Sequence, residues 1–550
     1  MHGRVKVRTT AEQQEAKRKE REKKLKTYQA IHAKIFEKRA NKEYDDEILE
    51  LTEKILTSDP DVTTLWNIRR EAIEQRDNSE HVTIAKHERR LTETCLGVNP
   101  KSYCAWLHRK WIMMTYANEK EEWDEEIRLC DVFLKYDERN FHCWDYRRFV
   151  VSKAGIESEK EFEFSMKKIM DNISNYSGWH YRSKLLPLVH PDPENKERPA
   201  ESALVKEYEL VQNAVFTDPY DQSAWFYHRW LLGRVESPLI ISCVLAEKND
   251  NDLLVHVSLT KPVDVFSVVL TIDGVECPVE WTSSASFIWQ ARVDAKTAKE
   301  IIVRAEFSAK QEIAVTFTSD EETLGYGLCD SLQLFRRKKT QSADAVLTSE
   351  LESCQQLLEL EPGNKWTLLT LVFLMEAIDP IGHKDTIVAH LVDLISVVDP
   401  CRKGYYQDLK SRFVIERVVE SIFRNFRNPI LDLKDHGLSR LYHMHHVSFV
   451  TELDVSNNCL SSLSGCQHLL NLSVLIADKN QIAEISSSLA RLSRLVRLSL
   501  NHNKISSIES LSGLKGMKLG YLSLCHNPLR SIEDVKTVLR TRFPLLTLEL

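Results

Sequence analysis

The chain has 550 residues, a formal net charge of -7 at pH 7, and 43% hydrophobic and 28% charged residues. This composition excludes a largely disordered protein, and the length predicts at least two packed units because single cores stop growing at about 250–300 residues. No apolar stretch reaches the roughly 20 residues of a membrane-spanning helix. Twelve cysteines without a CxxC pair indicate reduced thiols. We therefore expect a soluble, cytoplasmic protein without an integral membrane segment.

The N-terminal segment 1–40 is basic, with 13 Lys or Arg against 5 Glu. Such an excess of positive charge could bind nucleic acid or an anionic membrane surface. However, Glu20 and Lys24 are typical of several acid-first pairs spaced four residues apart, which indicates a solvated helix held by its own ion pairs. No base-reading module accompanies the charge, so we expect no nucleic-acid partner.

A tryptophan followed by an arginine recurs through the first half of the chain, and successive tryptophans are 40, 38, 35 and 46 positions apart. This period is typical of helical hairpins that stack into a curved layer. We expect each indole to fill the seam between helices and each guanidinium to bind loop carbonyls or stack on a ring. The five copies are Trp66 and Arg69, Trp106 and Arg109, Trp144 and Arg147, Trp179 and Arg182, and Trp225 and Arg229.

Prolines precede three of these tryptophans by six residues. The pairs Asp59-Pro60, Asn99-Pro100 and Asp218-Pro219 predict helix starts, with the acid or amide as N-cap and the proline as first helical residue. Asn140 and Asn175 are the predicted N-caps of the third and fourth copies. A sixth, weaker copy at Trp366 lacks the arginine.

Two regions depart from the helical pattern. Between about Leu239 and Phe317, alternating apolar residues and an Asp273-Gly274 turn predict several short strands in an immunoglobulin-like β-sandwich. Near the C-terminus, a leucine-rich repeat is predicted by Asn458, Asn480, Asn503 and Asn527, which recur at intervals of 22, 23 and 24 positions. Each asparagine is expected to satisfy backbone groups at the turn after a short strand.

The sequence thus predicts a multidomain, mainly α protein. The predicted domains are helical-hairpin repeats over 1–237, an immunoglobulin-like β-sandwich insert over 238–335, a return to the helical domain over 336–440, and leucine-rich repeats over 441–550. The leucine-rich array could bind protein or simply cap the fold.

No known catalytic motif occurs in the chain. The cluster His443, His445 and His446 could bind a metal, but a histidine-rich junction is more often incidental, and the sequence shows no supporting carboxylate. His2 could reach a metal elsewhere, although most terminal histidines have no such role.

The tryptophan-arginine unit with its proline resembles the repeat of protein prenyltransferase α subunits. The two additional domains narrow the resemblance to the Rab geranylgeranyltransferase family, because farnesyltransferase and type I geranylgeranyltransferase α subunits lack them. The resemblance implies a helical crescent around a catalytic β subunit, which holds geranylgeranyl diphosphate and a zinc ion. It further implies transfer to C-terminal cysteines of Rab GTPases presented by an escort protein.

In that family, α-subunit side chains lie at the mouth where diphosphate departs. Lys101, five residues before Trp106, matches a lysine that stabilises the diphosphate, and Tyr103 matches a tyrosine lining the same site. His142 matches a histidine at this mouth. Phe141 stands where the family has a tyrosine, so a hydroxyl donor is missing there. For Lys101 the alternative is an ordinary solvated lysine.

A second hypothesis is a non-catalytic interaction scaffold of tetratricopeptide-like and leucine-rich repeats, which needs no cation at position 101. The recurring tryptophan and arginine favour the enzyme subunit, since tetratricopeptide units have a regular 34-residue period and a small-residue pattern. The sequence leaves open what the two additional domains bind, which Rab proteins are modified, and how many lipids are added.

Overall fold

The computed structural model describes most of the chain and divides it into two compact units. The units are Met1–Leu204 with Asp221–Tyr227, and Val205–Tyr220 with His228–Leu550. The described residues are 11–77, 80–117, 119–193, 196, 198–232, 239–249, 252–264, 266–307, 310–319, 321–330, 334–335, 341–424, 429–485, 487–506, 518–530 and 532–550. Within these ranges, none of the helices combines the length and apolar character that crossing a bilayer requires.

Among the described residues, eleven helices form the part of the chain that carries the first five tryptophan copies. α4 packs on α5, α6 on α7 and α8 on α9, as expected for helical hairpins. The helices are α1 Ala11–Ala40, α2 Asp46–Leu56, α3 Thr63–Glu74, α4 His81–Val98, α5 Tyr103–Tyr116, α6 Lys120–Tyr136, α7 Phe141–Ala154, α8 Ser158–Asp171, α9 Tyr176–Val189, α10 Glu201–Thr217 and α11 Gln222–Leu231.

The predicted helix starts are right for two copies and wrong for others. Asn140 and Asn175 cap α7 and α9, each accepting hydrogen bonds from backbone N–H groups of the first turn. In contrast, α3 begins three residues after Pro60, and α5 begins after Ser102, whose side chain caps it. The Asp-Pro and Asn-Pro pairs therefore form the preceding turn, because the proline carbonyl is used as an acceptor there.

A β-sheet-rich segment follows and contains two antiparallel sheets that contribute buried residues to one hydrophobic core. The strand orders are β5-β6-β2-β1-β9 and β4-β3-β7-β8. Asp273 and Gly274 turn between β3 and β4 with φ of 48° and 80°, the left-handed conformation that favours such residues. The strands are β1 Ile241–Lys248, β2 Leu253–Leu259, β3 Val268–Ile272, β4 Val275–Cys277, β5 Thr282–Ala285, β6 Ile288–Val293, β7 Glu300–Glu306, β8 Lys310–Thr316 and β9 Leu324–Leu328.

The chain then returns to helices. α13 carries Trp366, and Asn364 caps it by accepting from the N–H groups of Trp366 and Thr367. The Asn364 amide also donates to the Pro219 carbonyl at 2.8 Å, so the sixth copy retains the turn chemistry of the repeat. These helices are α12 Gln341–Leu360, α13 Lys365–Ile378, α14 Lys384–Asp393 and α15 Lys403–Arg424.

The C-terminal segment has mixed α and β content, with a six-stranded sheet whose pairs are all parallel. Asn458 donates to the carbonyls of Leu433 and Val455, both at 2.8 Å, and Asn480 and Asn503 repeat this arrangement one turn further on. The elements are β10 Ile430–Asp432, β11 Glu452–Asp454, β12 Val474–Ile476, β13 Arg497–Ser499, β14 Tyr521–Ser523, α16 Ile532–Arg542 and β15 Thr547–Glu549.

The expected helical repeat region and β-sheet-rich region are therefore both present. The parallel sheet begins at Ile430, within the range for which the sequence predicts helical structure. All twelve cysteines are free, as expected for reduced thiols.

Candidate functional site

Each tryptophan of the first four copies locks the turn that precedes its own helix. The indole N–H donates to the carbonyl oxygen six residues earlier: Trp66 to Pro60, Trp106 to Pro100 and Trp144 to Glu138, each at 2.8 Å, and Trp179 to Ile173 at 2.7 Å. These indoles are buried. The tryptophans therefore fill the seam as predicted and also fix the turn's length.

The arginines of the first three copies are buried and form bidentate pairs with glutamates on the following helix. Arg109 donates to both carboxylate oxygens of Glu126 at 2.6 and 2.7 Å, and Arg147 donates likewise to Glu161 at 2.8 and 2.7 Å. Arg69 pairs with Glu88 in the same way. Guanidinium contacts with Thr92 and Thr52 on the preceding helices complete a clamp across three helices.

The same glutamates accept a further hydrogen bond from the next repeat. The donors or partners are His108 for Glu88 at 2.8 Å, Tyr146 for Glu126 at 2.7 Å and Tyr181 for Glu161 at 2.9 Å. Burial alone would raise the pKa of Glu88, but Arg69 and His108 lower it to about 2. This lattice holds successive hairpins in a fixed orientation.

The glutamates were missed by the sequence reasoning, although a signal was available. Glu88, Glu126 and Glu161 all precede the tryptophan of the next copy, at 106, 144 and 179, by the same interval of eighteen positions. Glu207 precedes Trp225 by that interval and is also buried. A buried acid at a constant offset from a buried aromatic residue identifies this partner of the arginine.

The three residues expected at the mouth lie together where α5 and α7 begin. Tyr103 is the first residue of α5, and its ring meets that of His142 edge to face with centroids 4.2 Å apart. Phe141, the first residue of α7, lies 6.3 Å from the Tyr103 ring and 4.0 Å from His142. Lys101 occupies the turn before α5, with its side chain 64% exposed.

The electrostatics of this cluster favour an anion. Burial lowers the pKa of His142, Asp145 opposes that effect, and the charge of Lys101 adds to it, so this imidazole is neutral near pH 7. Lys101 is consequently the cation among the three. The N-terminal ends of α5 and α7, capped by Ser102 and Asn140, add the partial positive charge of their helix dipoles.

Asp137 extends the cluster, and Tyr176 occupies the equivalent position at the start of the next repeat's helix. Asp137 lies 3.2 Å from Lys101 Nζ and pairs with its charge in the isolated chain. Tyr176 is the first residue of α9 and is exposed, as Tyr103 and Phe141 are. All three aromatic residues stand three positions before a repeat tryptophan, which is the signal that could have identified Tyr176.

The remaining predicted site residues do not join this cluster. Arg182 stacks on Phe162 at 3.7 Å, and Arg229 lies 5.0 Å from the Trp366 ring, so both use the stacking expected of repeat arginines. His2 lies outside the described residues. His443, His445 and His446 form a separate cluster, with one ring nitrogen of each within 4.8 Å of the others.

Comparison with known proteins agrees with these repeats. The protein prenyltransferase alpha subunit repeat matches residues 85–116, 123–154, 158–188 and 204–235. Geranylgeranyl transferase type-2 subunit alpha of Mus musculus is 39% identical over 567 residues, covering 99% of each chain. The Homo sapiens protein of that name is 40% identical and covers 96% of each chain. The Dictyostelium discoideum protein is 38% identical over 43% of this chain and 76% of its own.

The helical repeats thus match the sequence repeat of protein prenyltransferase α subunits. Similarity over nearly the whole length of its relatives shows that the chain belongs to the family of geranylgeranyl transferase type-2 α subunits. The prediction of this family is confirmed, and the alternative of an unrelated interaction scaffold is not favoured.

Proposed function

We propose that this chain acts as the α subunit of a heterodimeric enzyme that transfers geranylgeranyl from geranylgeranyl diphosphate to C-terminal cysteines of Rab GTPases. The substrate would be presented by an escort protein, and the complex would work in the cytoplasm. The proposal rests on one observation: Lys101, Tyr103 and His142 meet at the beginnings of α5 and α7 in a chain of this family.

The proposed role of this chain is to receive the departing diphosphate. Negative charge develops on the leaving group in the transition state, and a cation aimed at it lowers the barrier. Lys101 Nζ supplies that charge, and the partial positive charge at the N-terminal ends of α5 and α7 acts in the same direction. Tyr103 and His142 line the mouth and position the isoprenoid diphosphate between the subunits.

The proposal assigns zinc to the β subunit. Lys101, Tyr103 and His142 offer one imidazole, a lysine and a phenol, which is not a set of zinc ligands. The metal would supply a thiolate form of the substrate cysteine. The residues of this chain then act on the other side of the reacting carbon, where diphosphate leaves.

We further propose that the two additional modules are an immunoglobulin-like β-sandwich and a leucine-rich repeat. The first is supported by two antiparallel sheets sharing a core, and the second by parallel three-residue strands with an asparagine in the turn after each of β11, β12, β13 and β14. Neither module contributes to the mouth residues. Deleting either is therefore not expected to remove Lys101 from the reaction.

The test is transfer to an escort-bound Rab protein by this chain co-expressed with a geranylgeranyltransferase type-2 β subunit. Lys101→Ala should slow turnover by about 10-fold to 100-fold without preventing assembly. Lys153→Ala, at the other end of α7, is the matched control and should match wild type. Failure of the two chains to associate, or association without any transfer, would contradict the enzyme-subunit proposal.

The substitution Phe141→Tyr provides a second test of the mouth. It restores a hydroxyl donor beside Tyr103 and His142, and we expect it to keep turnover at or above the wild-type rate. A loss comparable with that of Lys101→Ala would argue against diphosphate binding at this mouth.

A further inference from the structure

A second cluster of chemically active side chains lies far along the chain from the mouth residues. His443 precedes a short 3-10 helix, Met444–Val447, and has a φ of 61°. His445 and His446 lie within that helix. Ring centroids are 4.0 Å apart for His445 and His446 and 5.7 Å apart for His443 and His446. Three imidazoles are thus gathered by only four consecutive residues.

Two of these imidazoles carry a nitrogen without an evident role. His445 Nε2 and His446 Nδ1 are buried and make no hydrogen bond to any of the described residues. The two side chains are 7% and 2% exposed. Buried polar atoms in folded proteins are nearly always paired with protein, water or a ligand. These two ring nitrogens could therefore bind a ligand in the protein interior.

A carboxylate on α15 completes the arrangement. Glu416 Oε1 lies 2.9 Å from His443 Nε2 and also accepts from Arg412 Nε at 2.7 Å. Metal-bound histidines almost always place their second ring nitrogen against a carboxylate, a carbonyl or water. No sequence signal indicates this carboxylate, since Glu416 belongs to a different element from His443 and only packing brings the two together.

Aromatic rings enclose the cluster, and an open cleft lies nearby. Phe287 stacks on His445 at 4.1 Å, and Phe335 meets His446 edge to face at 5.3 Å. His468, 6.0 Å from His445, lines an open cleft of about 480 Å³.

We propose that His443, His445 and His446 bind one zinc ion, with Glu416 orienting His443. Imidazole nitrogen suits zinc, and donors about 2.0–2.1 Å from a tetrahedral ion lie about 3.4 Å from one another. The rings therefore rotate to shorten the widest separation, at most 4.8 Å, by up to about 1.4 Å. The ion would hold the segment 443–446 in one conformation, with Glu416 of α15 against His443. This site is independent of the catalytic zinc assigned above to the β subunit.

Metal content tests the proposal directly. The full chain, carrying a purification tag without histidine, is purified in complex with its β subunit, dialysed against zinc-buffered solution and analysed for zinc by mass spectrometry. Wild type should hold one zinc more per heterodimer than His445→Gln/His446→Gln. The control is His502→Asn/His526→Asn, which removes an exposed histidine pair stacked at 4.2 Å and should equal wild type. Zinc on the β subunit is common to all three samples.

Two further measurements test the proposal even if the double variant misfolds. Glu416→Gln should retain the ion but weaken its affinity about 10-fold to 100-fold. Wild type exchanged with Co²⁺ should gain visible ligand-field absorption beyond that of the β subunit alone. Equal zinc in wild type and a folded double variant would overturn the proposal. So would wild type with neither the additional zinc nor the Co²⁺ absorption, which would leave water as the partner of these nitrogens.

Discussion

The helical repeats and the parallel sheet both bury polar side chains at regular intervals, but they use opposite chemistry. In the helical repeats the buried groups are full charges, such as Arg109 against Glu126. In the sheet they are neutral amides, such as Asn480, which binds carbonyls of its own turn and the preceding turn. The charged lattice links separate helices through side chains, whereas each amide binds the backbone alone.

This difference predicts unequal tolerance to substitution. A buried guanidinium requires its carboxylate, since either charge alone is strongly disfavoured in a protein interior. An asparagine that is lost leaves only unpaired backbone groups, which cost less than an unpaired charge. Damage to the helical lattice should therefore be larger and should be repairable only by changing both partners.

The largest expected effect is that of Arg109→Met. It leaves Glu126 buried with Tyr146 as its remaining hydrogen-bond partner, and we expect the free energy of unfolding to fall by about 3–5 kcal/mol. Urea unfolding measures the change. Arg109→Met/Glu126→Leu should recover most of it, because no charge then remains in the core. If the double variant is as unstable as the single one, packing rather than charge dominates this position.

The next effect is a dependence of stability on pH. Glu88 has a folded pKa of about 2, below its ordinary value of 4.5, so its contribution is fully present above pH 4.5 and is lost as the pH falls toward 2. The shift corresponds to roughly 3 kcal/mol. The stability gap between wild type and Glu88→Gln should narrow over this range in urea titrations. The control is Glu93→Gln, on the exposed side of α4, which should change stability by less than about 0.5 kcal/mol.

A smaller effect is expected in the parallel sheet. Asn480→Ala removes an amide that donates to Val455 and Ala477 and accepts from the Leu460 N–H, and should cost about 1–3 kcal/mol. The neighbouring exposed Gln481→Ala should change stability by less than about 0.5 kcal/mol. A loss at Asn480 as large as that at Arg109 would remove the distinction between the charged and the neutral lattice.

The smallest effect concerns the exposed ion pair at the mouth. Asp137→Asn should alter stability by less than about 1 kcal/mol, because Lys101 is largely exposed and such pairs contribute little. Turnover should be retained, in contrast to Lys101→Ala, since the proposed partner of Lys101 during transfer is diphosphate. Equal loss in both variants would indicate that Asp137 itself is required at the mouth.

The sequence predicted those features that depend on local periodicity. The tryptophan seam, the alternating strands and the asparagine ladder all follow from the spacing of residues along the chain. The partner of each arginine was not predicted, because Glu88, Glu126 and Glu161 follow their arginines by 19, 17 and 14 positions, without a fixed offset. Their constant interval of eighteen positions before the next tryptophan is present in the sequence. It identifies them as the partners of the arginines only when the glutamates are known to be buried.

The candidate cluster at the beginnings of α5 and α7 was predicted by family resemblance rather than by residue chemistry. Lys101 and His142 are 41 positions apart, and nothing in their own spacing brings them together. Glu416 beside His443 is similarly a product of tertiary packing between a helix and the turn that precedes the sheet. The proline turns failed as helix starts: α3 and α5 begin three residues after their prolines, and the indole N–H of the same copy binds each proline carbonyl.

The hydrogen bond from each indole to the carbonyl six residues earlier has a consequence for insertions and deletions. Each of these hydrogen-bonded tryptophans fixes the number of residues in its own turn. Adding or removing one residue between Pro100 and Trp106 should therefore break the bond. The stretch from each arginine to its glutamate has no such fixed length and varies from 14 to 19 positions, although the interval from that glutamate to the next tryptophan stays at eighteen. Loops between copies are accordingly the positions at which this scaffold should accept a grafted peptide or a reporter domain, while the proline-to-tryptophan turns should accept none.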